Sequence, residues 1–223
     1  MRTDNLLPAL LAASILLTVP TLKANAQAVV QRPGRIAPAE MKDPEPEKAP
    51  ESLRMCYKGI PITGTEDAFG AELGKIGYRK SGPEEYTGPL SGRQVSLSLH
   101  LTPASGQVWG VSAAFPAHGD WRSVKNEYDT VSAILTAKYG KRSESHERFQ
   151  PPYREGDGYE MKAISIGKYR WYGLWETGEG VIRLSVEKGK ERNRTEACTV
   201  ITYMDKTGAE LNTKEISQEY KDL

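Results

Sequence analysis

Histidine is scarce in this chain, with three in 223 residues. The shortage matters because imidazole is the side chain that titrates near neutral pH and the commonest metal ligand. His100 falls on the polar side of a strand, His118 in a turn beside Gly119, and His146 in a charged loop. None has a Gly-x-Ser-x-Gly elbow or a His-Glu-x-x-His helix around it. Those positions predict solvated side chains, and no catalytic residue is assigned. Cysteine is rarer still, at two. No His or Cys stands at ligand spacing from Cys56 or Cys198, so no metal site is expected. There is no glycine-rich phosphate loop and no other sign of a cofactor. Lys and Arg total 30 against 29 Asp and Glu, for a net charge of +1. A chain so balanced has no strong long-range field, which argues against a nucleic-acid partner. Past residue 26 no apolar run approaches the roughly 20 residues of a membrane span.

The N-terminus is different. Arg2 gives a positive start, Leu6 to Val19 is largely apolar, and Ala24-Asn25-Ala26 offers small residues at a cleavage site. Residues 1–26 read as a signal peptide cleaved near Ala26, which places the mature chain in the periplasm or outside the cell. Residues 27–52 carry Pro33, Pro38, Pro44, Pro46 and Pro50 among charges and alanines. They read as a disordered proline-rich linker. An α+β domain is expected over 53–206, and a polar C-terminal tail over 207–223. In an oxidising compartment Cys56 and Cys198 invite a disulfide. A bridge between them would enclose most of the domain and contribute about 4 to 5 kcal/mol in the chain-entropy model. The alternative is two buried thiols on unconnected strands.

Patterning supplies the elements. Met55 to Ile62 reads as a short strand, with Pro61 at its end. Thr65 can cap a helix with Glu66 and Asp67 in its first turn, Phe69, Leu73 and Ile76 on one face, and Gly77 as its stop. Val95, Leu97, Leu99 and Leu101 alternate with polar residues, as do Trp109, Val111, Ala113 and Phe115. That is a hairpin, with Leu101 opposite Trp109 and Leu99 opposite Val111. Asp120 caps a second helix whose apolar stripe runs Trp121, Val124, Tyr128, Val131, Leu135 and Tyr139, up to Gly140. Strands then follow over Tyr159 to Ile166, Tyr169 to Thr177, Val181 to Glu187 and Ala197 to Met204. Their register sets Trp175 against Ile182, Trp171 against Val186, and Arg170 opposite Glu187. Ile216, Tyr220 and Leu223 give the tail a weak helical stripe. The fold expected is an antiparallel sheet with two main helices on one face and a repeated helix-plus-hairpin unit.

Chemistry-bearing groups are few. Glu84 and Glu85 are adjacent, and Asp157 and Glu160 share a glycine-rich loop. Sequence does not fix the separation a glycosidase pair needs, and these read as solvated loop charge. Asn193-Arg194-Thr195 fits a glycosylation pattern, which reads as coincidence behind a leader and linker of bacterial type. Tyr169, Trp171 and Trp175 share one strand face, which reads as core because the partner strand alternates Ile182, Leu184 and Val186. Tyr172, with Leu174 beside it, falls on the outer face and suits a modest protein contact.

The stretch Lys58-Gly59-Ile60-Pro61-Ile62-Thr63-Gly64-Thr65, followed by Phe69, Leu73 and Gly77, resembles the opening of uncharacterised secreted proteins from Bacteroides-like bacteria. The likeness extends to Lys138-Tyr139-Gly140 at a helix end and to Tyr203-Met204-Asp205 at a strand end. It covers roughly Leu53 to Lys206 and brings no activity with it. The order of elements also resembles the β-lactamase-inhibitor-type architecture, which implies protein binding without catalysis. The reading is an exported, non-catalytic module of the cell envelope that binds a protein, a peptide or a glycan. The alternative is a hydrolase of envelope polymers, which requires one of the three histidines beside a Ser or carboxylate in a pocket.

Overall fold

The computed structural model describes residues 54–189 and 195–219. The leader and linker expected over residues 1–52 lie outside the described residues, as do Asn193, Arg194, Tyr220 and Leu223.

Backbone chemistry dictates the opening. Lys58 and Gly59 take positive φ, 49° and 85°, as a two-residue hairpin turn demands. They join β1 (Cys56–Tyr57) to β2 (Ile60–Pro61), so the single strand expected here is a miniature hairpin. The Thr65 hydroxyl then accepts from the Ala68 N–H at 3.4 Å and caps α1 (Glu66–Lys75), which buries Phe69 and Leu73. Gly77, at φ 90°, turns the chain away.

Four strands follow: β3 (Arg79–Gly82), β4 (Glu85–Leu90), β5 (Arg93–Leu101) and β6 (Val108–Ala114). Next come α2 (Trp121–Tyr139), β7 (Glu144–Phe149), α3 (Glu160–Ser165), β8 (Tyr169–Glu176), β9 (Gly180–Lys188), β10 (Ala197–Asp205) and α4 (Lys206–Glu219). Eight strands form one antiparallel sheet in the order β3-β4-β5-β6-β10-β9-β8-β7. Each half is a helix followed by a four-stranded meander, and the halves join along their last strands, β6 and β10. The class is α+β. The repetition is larger than the helix-plus-hairpin unit read from the sequence, because β3, β4 and β7 carry too few apolar residues to announce themselves.

Alternation sorts side chains onto two faces. One row crosses the sheet through Tyr86, Leu97, Ala113, Ile201, Leu184 and Gly173, all of them buried. α1 and α2 cover this side, whereas α4 crosses one end of the other: a Cβ at Gly208 would stand 2.8 Å from the Cβ of Trp109, which stacks on His100. A Cβ at Gly70 of α1 would stand 2.3 Å from the Tyr86 hydroxyl, and one at Gly173 would stand 3.5 Å from the hydroxyl of Tyr128 of α2. Trp171 and Trp175 lie in this core as expected, with Trp171 edge-on to Trp121 at 4.6 Å between centroids.

Two local expectations are corrected. A β-bulge between His100 and Leu101 pairs Leu101 with Val108, and Trp109 stacks on His100 at 5.5 Å instead of facing Leu101. Leu99 does face Val111. The stretch from Glu160 is the short helix α3, because Gly167 and Lys168 turn back to the Ile164 and Ala163 carbonyls. Lys206 to Glu219, expected as a polar tail with a weak helical stripe, forms the helix α4. Its start is fixed by Asp205, whose buried carboxylate accepts from the Gly208 N–H at 2.8 Å, the Met55 N–H at 3.0 Å and the Arg54 guanidinium at 2.7 Å.

Candidate functional site

The side of the sheet away from α1 and α2 carries a different set of residues. One row runs Thr87, Ser96, Ala114, Val200, Ser185, Tyr172 and His146. The next runs Glu85, Ser98, Ser112, Thr202, Arg183, Leu174 and Glu144. Every one except Ser185 is half-buried or exposed. Small hydroxyl and methyl side chains fill the middle, and the larger polar groups collect on β7, β8 and β9. Away from the end where α4 meets Trp109, this face is left to solvent, as antiparallel alternation allows.

Tyr172 is held from three directions at that end. Its hydroxyl donates to Glu144 Oε1 at 2.8 Å, its ring centroid is 5.1 Å from that of His146, and the Arg183 guanidinium lies 5.2 Å over it. Burial, and then the Glu144 contact, push its phenol pKa up, so the hydroxyl stays a donor. His146 Nε2 is 3.0 Å from the same Glu144 oxygen. Leu174 stands between Glu144 and Arg183 in register. Tyr172 and Leu174, singled out in the sequence, are therefore brought together on the open face.

All three histidines are bonded, which corrects the solvated reading. His146 belongs to the edge strand β7 and not to a loop. His118 Nε2 is 3.1 Å from Glu127 Oε2, and the buried Glu127 also pairs with Arg93, tying α2 to β5. His100 Nε2 is 2.7 Å from Ser112 Oγ, which in turn meets Thr202 Oγ1 at 2.8 Å across the junction of the two halves. Burial lowers the His100 pKa, so the ring stays neutral at neutral pH. A neutral imidazole beside a hydroxyl is the start of a nucleophile–base pair. The strand order works against going further. Ser112 pairs with Ser98 on β5 and with Thr202 on β10, so the backbone around it is spent in ladders rather than forming an oxyanion hole.

The two cysteines do not form a disulfide. Cys56 follows Met55, which is bonded to Asp205 at the last residue of β10, whereas Cys198 is near that strand's first residue. The separation along β10 is roughly 23 Å, far beyond the ~7 Å that a bridge allows. The Asp157 and Glu160 carboxylates are spent on their own loop, while Glu84 is exposed and is bonded through its backbone. Asp157 accepts from the Arg154 and Tyr159 amides, Glu160 accepts from the Gly156 amide at 2.6 Å, and Glu84 N–H donates to Glu66 at 3.1 Å. Among the described residues no three His, Cys, Asp or Glu side chains converge as a metal site, and no helix is long and apolar enough to cross a membrane.

Sequence reasoning missed the arginines of this face. Arg148 lies directly opposite Arg170 in the β7–β8 ladder. The β8–β9 register is the one expected, with Trp175 against Ile182, while the Glu187 carboxylate makes its ion pair with Arg183, at 3.6 Å. Period-two alternation over Glu144 to Phe149 was the available signal, obscured by an almost wholly polar strand. Set against models of protein families, curated proteins and solved structures, the chain matches none.

Proposed function

We propose that this chain is a non-catalytic binding module of the bacterial envelope, and that its partner docks on the open sheet face around Tyr172 and Leu174. The observation that carries the reading is the arrangement of that face: an aromatic ring held by Glu144, His146 and Arg183, with a leucine beside it. Rigid aromatic side chains with a polar tip supply contact area at low entropic cost, which suits a protein or peptide partner or the face of a sugar. The likeness to secreted Bacteroides-like proteins and the expected leader support the envelope location, and the inhibitor-type order of elements supports binding without catalysis. On it, the mature chain works in the periplasm or outside the cell, spaced by its proline-rich segment.

Capture from envelope extract tests the proposal. Leaderless protein is expected to retain a partner that Tyr172→Ala and Leu174→Ser variants of unchanged circular dichroism lose. Equal capture by all three proteins, or capture by none, would overturn it.

A second reading, a hydrolase, draws on the His100–Ser112 contact at 2.7 Å. It predicts that a fluorophosphonate probe labels the wild-type protein and not Ser112→Ala. The binding reading expects no labelling of either.

A further inference from the structure

The outer end of the open face carries a feature that its own folding does not need. Arg148 and Arg170 occupy directly opposed positions on β7 and β8. Opposed cross-strand residues have Cβ atoms roughly 5 Å apart, and like charges there destabilise the pair. Lys168 adds a third cation, since its carbonyl accepts from the Gln150 N–H at 2.9 Å and so continues the ladder. Both arginines and Lys168 are exposed. Among the described residues none of the three has a carboxylate within ion-pair distance. Other acids of this end are engaged: Glu144 with Tyr172 and His146, and Glu187 with Arg183. Arg148 and Arg170 also line, with Phe149, Gln150 and Pro151, a shallow depression of about 380 Å³. In a chain of net charge +1, three neighbouring unpaired cations are a local concentration, not the spill-over of a basic protein.

We infer that Arg148 and Arg170 form a clamp for a doubly charged oxyanion, a phosphate or sulfate group, with Lys168 at its rim. Two planar guanidinium forks offer paired N–H donors to tetrahedral oxygens, and such charge-assisted bonds are the strong ones. A dianion cancels the repulsion between the arginines, which a single carboxylate does only in part. The Gln150 side chain, two residues beyond Arg148 on the same side of the chain, lines the depression and can donate a further hydrogen bond. The clamp deepens the proposed function by naming the chemistry of one contact on the face, and it lies beside Tyr172 without including it.

Titration of the full leaderless protein with inorganic phosphate, followed by the arginine Nε–Hε NMR signals at fixed ionic strength, tests the clamp. Saturable shifts of the Arg148 and Arg170 signals are expected. Affinity should fall at least about tenfold in Arg148→Gln and in Arg170→Gln, while Arg79→Gln, on the opposite sheet edge, keeps it. Acetate is expected to bind more weakly than phosphate. A phosphate monoester that binds as well as the free ion identifies a group borne by a larger partner, whereas binding of the free ion alone identifies the ion itself. Phenylglyoxal modification of the wild-type protein, slowed by phosphate at these two arginines, reads the same site without a variant. Linear, unsaturable shifts, or binding untouched by either substitution, would overturn the inference. Loss of partner capture on Tyr172→Ala with phosphate binding intact bears on the proposed function alone.

Discussion

Thr199 shows how tightly side-chain identity is constrained inside the sheet and where it is not. It is fully buried on β10, and its hydroxyl has no hydrogen-bond partner. A buried, unmade hydrogen bond costs about 1 to 3 kcal/mol. Thr199→Val keeps the shape and removes the orphaned group, so it should raise stability by about 1 kcal/mol in urea unfolding. His100 supplies a pH signature. Burial depresses its folded pKa below the ordinary 6.5, so the unfolded chain binds the proton more readily. Its contribution is complete above the unfolded pKa and is lost as the pH falls from there through the folded value. Unfolding free energy measured across that range should decline more steeply for the wild-type protein than for His100→Gln. Equal slopes would show that the ring titrates freely in the folded state.

Among the elements, α4 depends on one residue. Asp205 caps the helix through the Gly208 N–H and holds the strand start at Met55 and the Arg54 guanidinium. Removing it leaves two buried amides and a cation without this partner, so Asp205→Ala should destabilise by about 2 to 4 kcal/mol in chemical unfolding. The far end of α4 is pinned separately, with Glu215 accepting from the Ser105 hydroxyl at 2.5 Å and from the Ala104 and Ser105 amides at 2.8 and 3.1 Å. Those bonds, the Ser105 hydroxyl foremost, hold the Glu215 carboxyl below its usual range. Packing of the α1–β3 connection against β4 makes a parallel point. A Cβ at Gly88 of β4 would stand 2.5 Å from the Tyr78 ring. Gly88→Ala should therefore cost about 1 to 3 kcal/mol by overpacking, despite alanine's better fit to a strand.

At the level of the whole molecule, strongly periodic segments were legible and polar ones were not. α2 and the β5–β6 and β8–β9 hairpins announce themselves through regular apolar spacing, and the pairs Leu99–Val111 and Trp175–Ile182 follow from it. β3 and β7 sit at the sheet edges, where one flank and one face are wet, so nothing in their composition demands burial. The three resembling stretches turn out to encode backbone geometry: the Lys58-Gly59 turn and Thr65 cap, the Gly140 stop at φ 86°, and the Asp205 cap. They specify the fold and say nothing of a ligand. Of the site, Tyr172 and Leu174 were readable by alternation, whereas Arg148 facing Arg170 needed the β7–β8 register, which no turn chemistry in the sequence fixes.

The open face is the centre of the account, and site-specific photocrosslinking in envelope extract reads it directly. A benzophenone amino acid placed at Leu174 should form a discrete adduct, while the same probe at Ile134, exposed on the helix layer, should form none. Adducts from position 134 with none from position 174 would contradict the assignment of the sheet face as the binding surface.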